Sequence, residues 1–486
     1  MSTISSELLR LTCVGALIAL TAIAGAAQGM EAVIKLNAVA EPSAVVTGRL
    51  DRDAASVNFS FIDGVAGVPG LAGRMSGLEL FGADGRRIDG RVLAPGEILA
   101  GERASSFRYV VNLAPIRTNG GMAHVSWASG GTAVMRPYDL LPRVPADRLV
   151  RLRIEVPDGW NISTTETRAA DGSYLVKNVS RAVFAAGNDL RASVRQVAGT
   201  AISVERTGTW LFDEADPITF AAEIASGYSA LFGGMPGDAI KVLLIRKEGP
   251  PGQWEADTTG RTVTIVSTDM AFKAGSVQRL HEQLRHELFH LWLPNSIELA
   301  GDHAWFYEGT ALYVSLRSGV LTGRLRFDDL LDTLTRAYSI GKAGSGGGSM
   351  SLIELSKNRW AGSDTQVYAR GMIAAFMIDL AMLKASKGRS GIESVLKRLF
   401  VDRASLSGKD ALSVISGALK AGPTAAVWQA FIAGGEPVEI DPFLSSTGLE
   451  MRTEGSKRTL AVKPRLTASE KVILDKLGYN AWRKLT

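Results

Sequence analysis

The chain has 486 residues, more than one hydrophobic core usually organises, so two or three domains are expected. Apolar residues make up 46% and charged residues 21% of it, values that exclude wholesale disorder. The formal net charge is only +5, and the chain has no long run of Lys and Arg, which disfavours a nucleic-acid partner.

The first 26 residues predict a secretory signal peptide. An apolar run at 11–23 is followed by small residues at 24–26, the pattern of a cleavage site. This run is short for a membrane span, although a retained N-terminal anchor is the alternative. The single cysteine, Cys13, lies inside the segment, so the processed protein would have no disulfide. We expect an exported protein, periplasmic or secreted, with no stable membrane span after cleavage.

Residues 30–205 predict an N-terminal β-rich domain. Short segments with alternating polar and apolar residues, such as 56–61, 108–113 and 151–156, are separated by turn-forming Gly, Asp and Asn. Strands at this spacing are typical of a β-sandwich or saddle. No side chains in this half indicate chemistry, and His124 is interpreted as structural.

Residues 206–450 predict a second domain of mixed type. Asp216 and Pro217 begin a helix that ends at Gly233. A buried strand at 240–245 and a second strand at 262–267 follow, and the chain is then mostly helical, which indicates an α+β fold. The glycine-rich stretch 341–349 is expected to be a mobile loop, and the tail 451–486 has no readable role.

Residues 286–290 read His-Glu-Leu-Phe-His within a predicted helix. Four residues overshoot one helical turn by only about 40°, so His286 and His290 project from one face and can reach one metal ion. Glu287 lies about 100° round the helix, where it can face a water molecule on that metal. This arrangement predicts hydrolysis by metal-activated water, with Glu287 as the general base.

A third protein ligand is required, and Glu308 is the candidate. Seventeen residues separate it from His290, and it lies among the aromatic and apolar residues of 305–313. A carboxylate in such surroundings is expected to be buried and to need a partner, which a metal ion supplies. Imidazole and carboxylate ligands without any thiolate favour one Zn²⁺ per chain.

These motifs resemble the gluzincin superfamily, which includes thermolysin, aminopeptidase N and the glycyl aminopeptidases. The resemblance rests on 286–290 together with Glu308 and Gly309, and segments at 367–372 and 394–399 resemble the glycyl aminopeptidase branch. It implies a thermolysin-like, mostly helical catalytic domain behind the β domain. It also implies that Tyr368 donates a hydrogen bond to the tetrahedral oxyanion.

The sequence also departs from that family. The spacing before Glu308 is one residue shorter than usual in aminopeptidase N relatives, and Arg370 replaces a lysine. The segment that binds the free amine of the substrate in relatives has no clear copy, and Gly252-Gln253-Trp254-Glu255 comes nearest. Glu255 and Arg370 are therefore weak candidates for substrate binding.

The leading hypothesis is a zinc-dependent peptidase, aminopeptidase-like, that acts on a peptide or protein substrate. Two alternatives stay open: an endopeptidase of the same fold, and a non-catalytic envelope protein that keeps the gluzincin scaffold. The physiological substrate, the side-chain preference and the oligomeric state cannot be read from the sequence.

Overall fold

The computed structural model describes residues 28–37, 41–51, 55–116, 121–145, 148–343, 350–435, 439–455 and 457–480. The predicted signal peptide lies outside these ranges, as does most of the predicted glycine-rich loop. Two structural units follow one another along the chain, and their elements are numbered in chain order.

The N-terminal unit is built from strands and contains only short helices. Its elements are β1 (Gln28–Asn37), β2 (Ser43–Leu50), β3 (Ser56–Ser60), β4 (Gly64–Val65), β5 (Val68–Pro69), β6 (Met75–Phe81), β7 (Arg87–Ile88), β8 (Gly90–Ala94), β9 (Glu97–Ala104), β10 (Ser106–Asn112), α1 (Gly121–His124), β11 (Trp127–Ser129), β12 (Thr132–Met135), α2 (Pro137–Leu140), β13 (Leu149–Glu155), β14 (Asn161–Thr164), β15 (Thr167–Arg168), β16 (Tyr174–Val176) and β17 (Phe184–Gly187).

Three sheets enclose the core of this unit. They are an eight-stranded sheet (β15-β16-β13-β1-β2-β10-β6-β7), a three-stranded sheet (β3-β9-β8) and a four-stranded sheet (β11-β12-β17-β14). In β1, the alternate residues Met30, Ala32, Ile34 and Leu36 face the core, as a strand with one buried face requires. The predicted β-sandwich or saddle domain is confirmed.

The C-terminal unit joins one sheet to a helical bundle. Its elements are β18 (Arg191–Val197), β19 (Thr200–Arg206), α3 (Asp216–Phe232), β20 (Ala239–Arg246), β21 (Trp254–Thr259), β22 (Thr262–Ser267), α4 (Lys273–His290), α5 (Ala304–Leu321), α6 (Phe327–Ala343), α7 (Leu352–Lys357), α8 (Asp364–Ala385), α9 (Glu393–Val401), α10 (Arg403–Leu406), α11 (Ala411–Leu419), α12 (Ala425–Val427), α13 (Asp441–Leu444), β23 (Leu449–Glu454), β24 (Lys457–Val462) and α14 (Ala468–Lys476).

The five-stranded sheet of this unit is covered on both faces. Its order is β18-β19-β20-β22-β21, and β19, β20 and β22 are parallel. From β20, Ile240, Val242 and Leu244 pack against the helices, whereas Leu243 and Ile245 pack against the four-stranded sheet of the N-terminal unit. Burial on both faces explains the nearly continuous apolar sequence of β20. The antiparallel strand β21 is left at the edge.

The five-stranded sheet of the C-terminal unit begins at β18, before residue 206, where the sequence placed the domain boundary. The hairpin of β18 and β19 pairs with β20 and so belongs to the C-terminal sheet. Its alternating sequence is indistinguishable from that of the preceding β-rich segment. Only the pairing of β19 with β20 shows that the hairpin belongs to the C-terminal unit.

The segment after residue 450 completes the helical core. Strands β23 and β24 form a hairpin, and the backbone N–H of Leu460 donates a hydrogen bond to Thr335 Oγ1 on α6 (3.0 Å). Leu460, Ile473 and Leu474 are buried in the same core. The segment therefore has a structural role that the sequence left unread.

Among the described residues, one helix, α8, is long and apolar enough to cross a membrane, with a mean hydropathy of 1.3. Its apolar window is 72% buried within the protein, as expected of a core helix. The fully buried Asp379 of α8 accepts hydrogen bonds from Tyr313 Oη (2.5 Å), Arg317 Nη1 (2.9 Å) and the backbone N–H of Ile392 (2.9 Å). This polar network ties α8 to α5 and to the turn before α9.

Replacing Asp379 by Ala should lower the free energy of unfolding by about 2–4 kcal/mol, because it removes the acceptor that Tyr313 and Arg317 share, although Arg317 Nη1 keeps Glu393 Oε2 at 3.3 Å. Urea denaturation followed by circular dichroism measures the change. The matched control is Asp84→Ala on the surface, where the side chain is 70% exposed and its removal should leave the midpoint unchanged. Equal midpoints for the two variants would contradict a structural role for Asp379.

Candidate active site

Helices α4 and α5 bring the three predicted metal ligands together. His286 and His290 lie one turn apart at the end of α4, with their Nε2 atoms 3.2 Å apart. Glu308, on α5, places Oε2 3.5 Å from Nε2 of His286 and 3.3 Å from Nε2 of His290. The possible ligand atoms all lie within 4.8 Å of one another. This is the geometry of three side chains that share one ion.

The surroundings of these side chains fit a metal ion. His290 Nδ1 lies 3.0 Å from the backbone carbonyl of Leu293, so donation there leaves Nε2 free as a ligand. Oε2 of Glu308 is buried and has no hydrogen-bond partner in the described part of the chain. Two imidazole nitrogens and one carboxylate oxygen are a donor set that suits Zn²⁺ and leaves one coordination position open.

Two glycines allow α5 and α8 to cross backbone to backbone beside the site. A Cβ atom on Gly309 would lie 2.2 Å from the carbonyl carbon of Gly371, and one on Gly371 would lie 2.6 Å from the carbonyl oxygen of Trp305. Neither distance is sterically possible, so both positions require glycine. Because Gly309 follows Glu308 and Gly371 lies about one turn after Tyr368, this close crossing brings the carboxylate of Glu308 near the phenol of Tyr368.

Glu287 is held from the edge strand of the sheet. Thr258 Oγ1 on β21 lies 2.8 Å from Oε2 of Glu287 and 3.0 Å from its backbone oxygen, and can donate to either. Burial raises the pKa of Glu287, an effect that the charges of His286 and His290 partly oppose. A raised carboxyl pKa suits a general base that must work near neutral pH. Thr258 is a site residue that the sequence did not reveal.

A cleft of about 720 Å³ gives access to these groups, and Glu287, His286 and Tyr368 all line it. Burial and the nearby charge of Glu308 hold the pKa of Tyr368 well above its usual range. The phenol therefore stays neutral and keeps its proton for donation.

Arg359 is a second residue that the sequence did not reveal. It lies in the turn before α8, and its side chain is only 10% exposed. Its Nη1 lies 2.9 Å from Oε1 of Glu308, and its Nη2 donates to Tyr368 Oη at 2.7 Å. Its Nε donates to Asp364 Oδ1 at 2.7 Å. A lone arginine in an unpatterned turn offers no sequence signal, because its partners come from two separate helices.

Glu255, a weak candidate for substrate binding, lies on β21 and is one of the residues that line the cleft. Its carboxylate is already paired in the described structure. Oε1 accepts from Lys247 Nζ at 3.0 Å, and Oε2 accepts from the backbone N–H of Met122 at 2.9 Å. The N-terminal unit therefore contacts the cleft wall directly.

Arg370, a weak candidate for substrate binding, is not among the residues that line the cleft. It lies two positions after Tyr368 on α8, about 200° round the helix, so the two side chains cannot face the same side. Its Nη1 donates instead to the backbone carbonyl of Met350 at 2.9 Å. Arg370 thus anchors the chain that follows the predicted glycine-rich loop.

Protonation competes with metal binding at His290. Burial alone would lower the pKa of His290, but the charge of Glu308 outweighs it and raises that pKa to about 9. The charge of His290 in turn holds the pKa of Glu308 well below its usual range, although burial opposes this. At neutral pH the metal-free protein therefore carries a proton on His290 that a metal ion must displace.

The affinity for zinc should rise with pH by about tenfold per unit between about pH 7 and pH 9, and should level off above that. The stability of the metal-free protein should depend on pH in the opposite direction. The raised pKa of His290 stabilises the folded protein at low pH, and this contribution is lost as the pH rises through about 9. Competition with a chromogenic chelator measures the affinity at each pH. A flat profile would contradict the pairing of His290 with Glu308.

No family model and no curated protein matches the sequence. Among solved structures, an aminopeptidase N family protein from Idiomarina loihiensis matches with a TM-score of 0.73 and 15% identity, over 88% of this chain and 81% of that one. An M1 zinc metallopeptidase from Deinococcus radiodurans, solved as a glutamate-to-alanine variant bound to a Tyr-Ser-Ala substrate, matches with a TM-score of 0.54 and 15% identity, over 85% and 96%. A further structure of an M1 zinc metallopeptidase from that organism has a TM-score of 0.53.

At this identity the likeness shows the fold. It confirms the predicted architecture, a β-rich unit placed before a mostly helical one, as in these aminopeptidase N family and M1 zinc metallopeptidase structures.

Proposed function

We propose that this protein is a zinc-dependent peptidase in which His286, His290 and Glu308 hold one Zn²⁺. The observation that carries the proposal is the convergence of these three side chains on one point, with Glu287 beside them and a cleft giving access. The fold shared with zinc metallopeptidases supports it independently. A complete ligand set together with a base also argues against a scaffold that has lost catalysis.

Zinc, when bound, acidifies a water molecule and polarises the scissile carbonyl. Glu287 accepts the proton from the attacking water and later delivers it to the leaving amine. Thr258 holds one carboxylate oxygen of Glu287, so the base keeps a single orientation during these transfers. Tyr368 donates a hydrogen bond from its phenolic O–H to the developing oxyanion. Because the phenol is neutral, it does so without adding a buried charge to the site.

The first candidate activity is removal of an N-terminal residue. A free amine needs an anion to meet it, and Glu255 is an acidic residue among those that line the cleft. A structural neighbour was solved with a short peptide bearing Tyr, Ser and Ala, and we propose that a peptide with a free amino terminus binds here in a comparable way.

A specific observation favours the second candidate, cleavage of internal bonds. The side chain of Glu255 is only 13% exposed and already pairs with Lys247. A substrate amine would have to displace this lysine or share the carboxylate with it, which weakens selection for a free terminus. An extended peptide without a terminal charge would meet no such competition.

One pair of peptides tests the proposal and separates the candidates. The zinc-loaded protein is incubated with a peptide and with its N-acetylated form, and the products are identified by mass spectrometry. An aminopeptidase should release the first residue of the free peptide and cleave the acetylated form at least about 100-fold more slowly. Internal cleavage of both forms at similar rates would assign an endopeptidase. If protein with one bound zinc cleaves neither peptide, nor a denatured protein substrate, the peptidase proposal is refuted.

A further inference from the structure

We propose that Arg359 is a positioning residue that orients both Glu308 and Tyr368 for the reaction. The inference rests on the proposed peptidase function for its kinetic part, whereas its metal-binding part can be tested without any substrate. It depends on the geometry of one guanidinium group that bridges two helices.

The two oxygens of Glu308 are divided between different partners. Oε2 faces the imidazoles of His286 and His290, whereas Oε1 lies 2.9 Å from Nη1 of Arg359. A charge-assisted hydrogen bond to one oxygen restrains rotation of the carboxylate and presents the other oxygen towards the ion. Arg359 therefore fixes which oxygen of Glu308 is available to the metal.

The same guanidinium determines the direction of the hydrogen bond at Tyr368. An arginine carries only donors, so the phenol accepts from Nη2 at 2.7 Å and must donate its own proton elsewhere. In the free protein the charge of Glu308 lies close enough to raise the pKa of Tyr368. When a substrate occupies the cleft, the oxyanion offers a stronger acceptor, and the proton is already turned away from Arg359.

Arg359 is itself held rigidly enough for this task. Nε donates to Asp364 Oδ1, and Nη1 lies 3.2 Å from Tyr307 Oη. The guanidinium also stacks over the ring of Trp360, 4.4 Å from its centroid. A lysine at position 359 has one compact ammonium group and could not reach all of these partners. Arginine and lysine are therefore not interchangeable at this position.

A double-mutant cycle between Arg359 and Tyr368 tests the kinetic part. Arg359→Ala should lower kcat by about 10–100-fold and change KM by less than about threefold, as expected for loss of an outer-shell partner. With zinc at saturation, the same replacement in a Tyr368→Phe background should lower kcat by less than about threefold further, because Arg359 then acts on the rate only through the missing hydroxyl. Guanidinium chloride at low millimolar concentration should restore part of the activity of Arg359→Ala, but not of the double variant.

Zinc affinity tests the part that concerns Glu308. Arg359→Ala should weaken zinc binding by about tenfold in competition with a chelator, and Arg359→Lys should weaken it less. The control is Arg326→Ala at the start of α6, where the side chain is 65% exposed and pairs with Asp329 on the surface. That variant should bind zinc and hydrolyse peptide like the parent protein.

The role of Arg359 at Tyr368 and its role at Glu308 can be refuted independently. Fully additive losses of kcat in the cycle would overturn the role of Arg359 at Tyr368, and unchanged zinc affinity would overturn its role at Glu308. A zinc-loaded parent protein without activity would instead refute the proposed peptidase function, and the zinc measurement would still decide the role at Glu308.

Discussion

Replacing Glu287 by Gln should lower kcat by about 10²–10⁴-fold while the protein still binds one zinc ion. Glutamine has nearly the same shape and can still accept the hydrogen bond from Thr258, so the cleft should keep its form. It cannot take up a proton from water or return one to the leaving amine. Glu287 is also not one of the three converging ligands, so metal content should not change.

Steady-state rates with the parent peptide and zinc content by atomic absorption measure both expectations. Glu102→Gln, on the surface of the N-terminal unit, is the matched control and should behave like the parent protein. Undiminished turnover in Glu287→Gln would show that the base has been misassigned. Loss of zinc together with activity would instead place Glu287 among the metal ligands.

Replacing Glu308 by Gln should weaken zinc binding by at least about 100-fold, because a neutral amide replaces the one anionic ligand. The change also leaves the guanidinium of Arg359, which is only 10% exposed, without the charge it faces. The metal-free variant should therefore unfold at a lower temperature than the metal-free parent. Activity at limiting zinc should fall with the affinity.

Thermal unfolding with and without zinc measures this effect, since an ion that binds only the folded protein raises its melting temperature. The parent protein should show a clear shift at micromolar zinc, and Glu308→Gln should show almost none. His303→Asn is the control, because His303 hydrogen-bonds the carbonyl of Gly301 nearby but is not one of the three ligands. An equal shift in Glu308→Gln and in the parent would show that the third ligand lies elsewhere.

Several elements were predictable because their signals are local. The helix from Asp216 to Phe232 begins at an acidic residue and a proline and ends at Gly233, which adopts a φ of 86° that suits glycine. The strand Thr262–Ser267 has the predicted bounds, since five of its six residues are the β-branched Thr, Val and Ile, which favour strands. The pair of histidines on α4 is predictable for the same reason: one helical turn determines their geometry.

Other features depend on contacts between distant parts of the chain. The hairpin of β18 and β19 could be assigned to the C-terminal sheet only from its pairing with β20. The role of the last segment became clear only from its packing against α6. The position of Arg370 outside the cleft has a local cause, its angle from Tyr368 on one helix, and was predictable in principle.

The sequence by itself determined the proposed chemistry of the site, which is the candidate metal ligands and the candidate base beside them, and it predicted a fold that combines a β-rich unit with a mostly helical one. These follow from residue type and from periods of two or about 3.6 residues, which are properties of a single strand or helix. Only the tertiary structure decided which residues hold that chemistry in place. Thr258 meets Glu287 across 29 positions, and Arg359 joins α5 to α8 through a turn with no pattern of its own. Such contacts arise from how the elements pack, and packing leaves no periodic signal in the residues that make it.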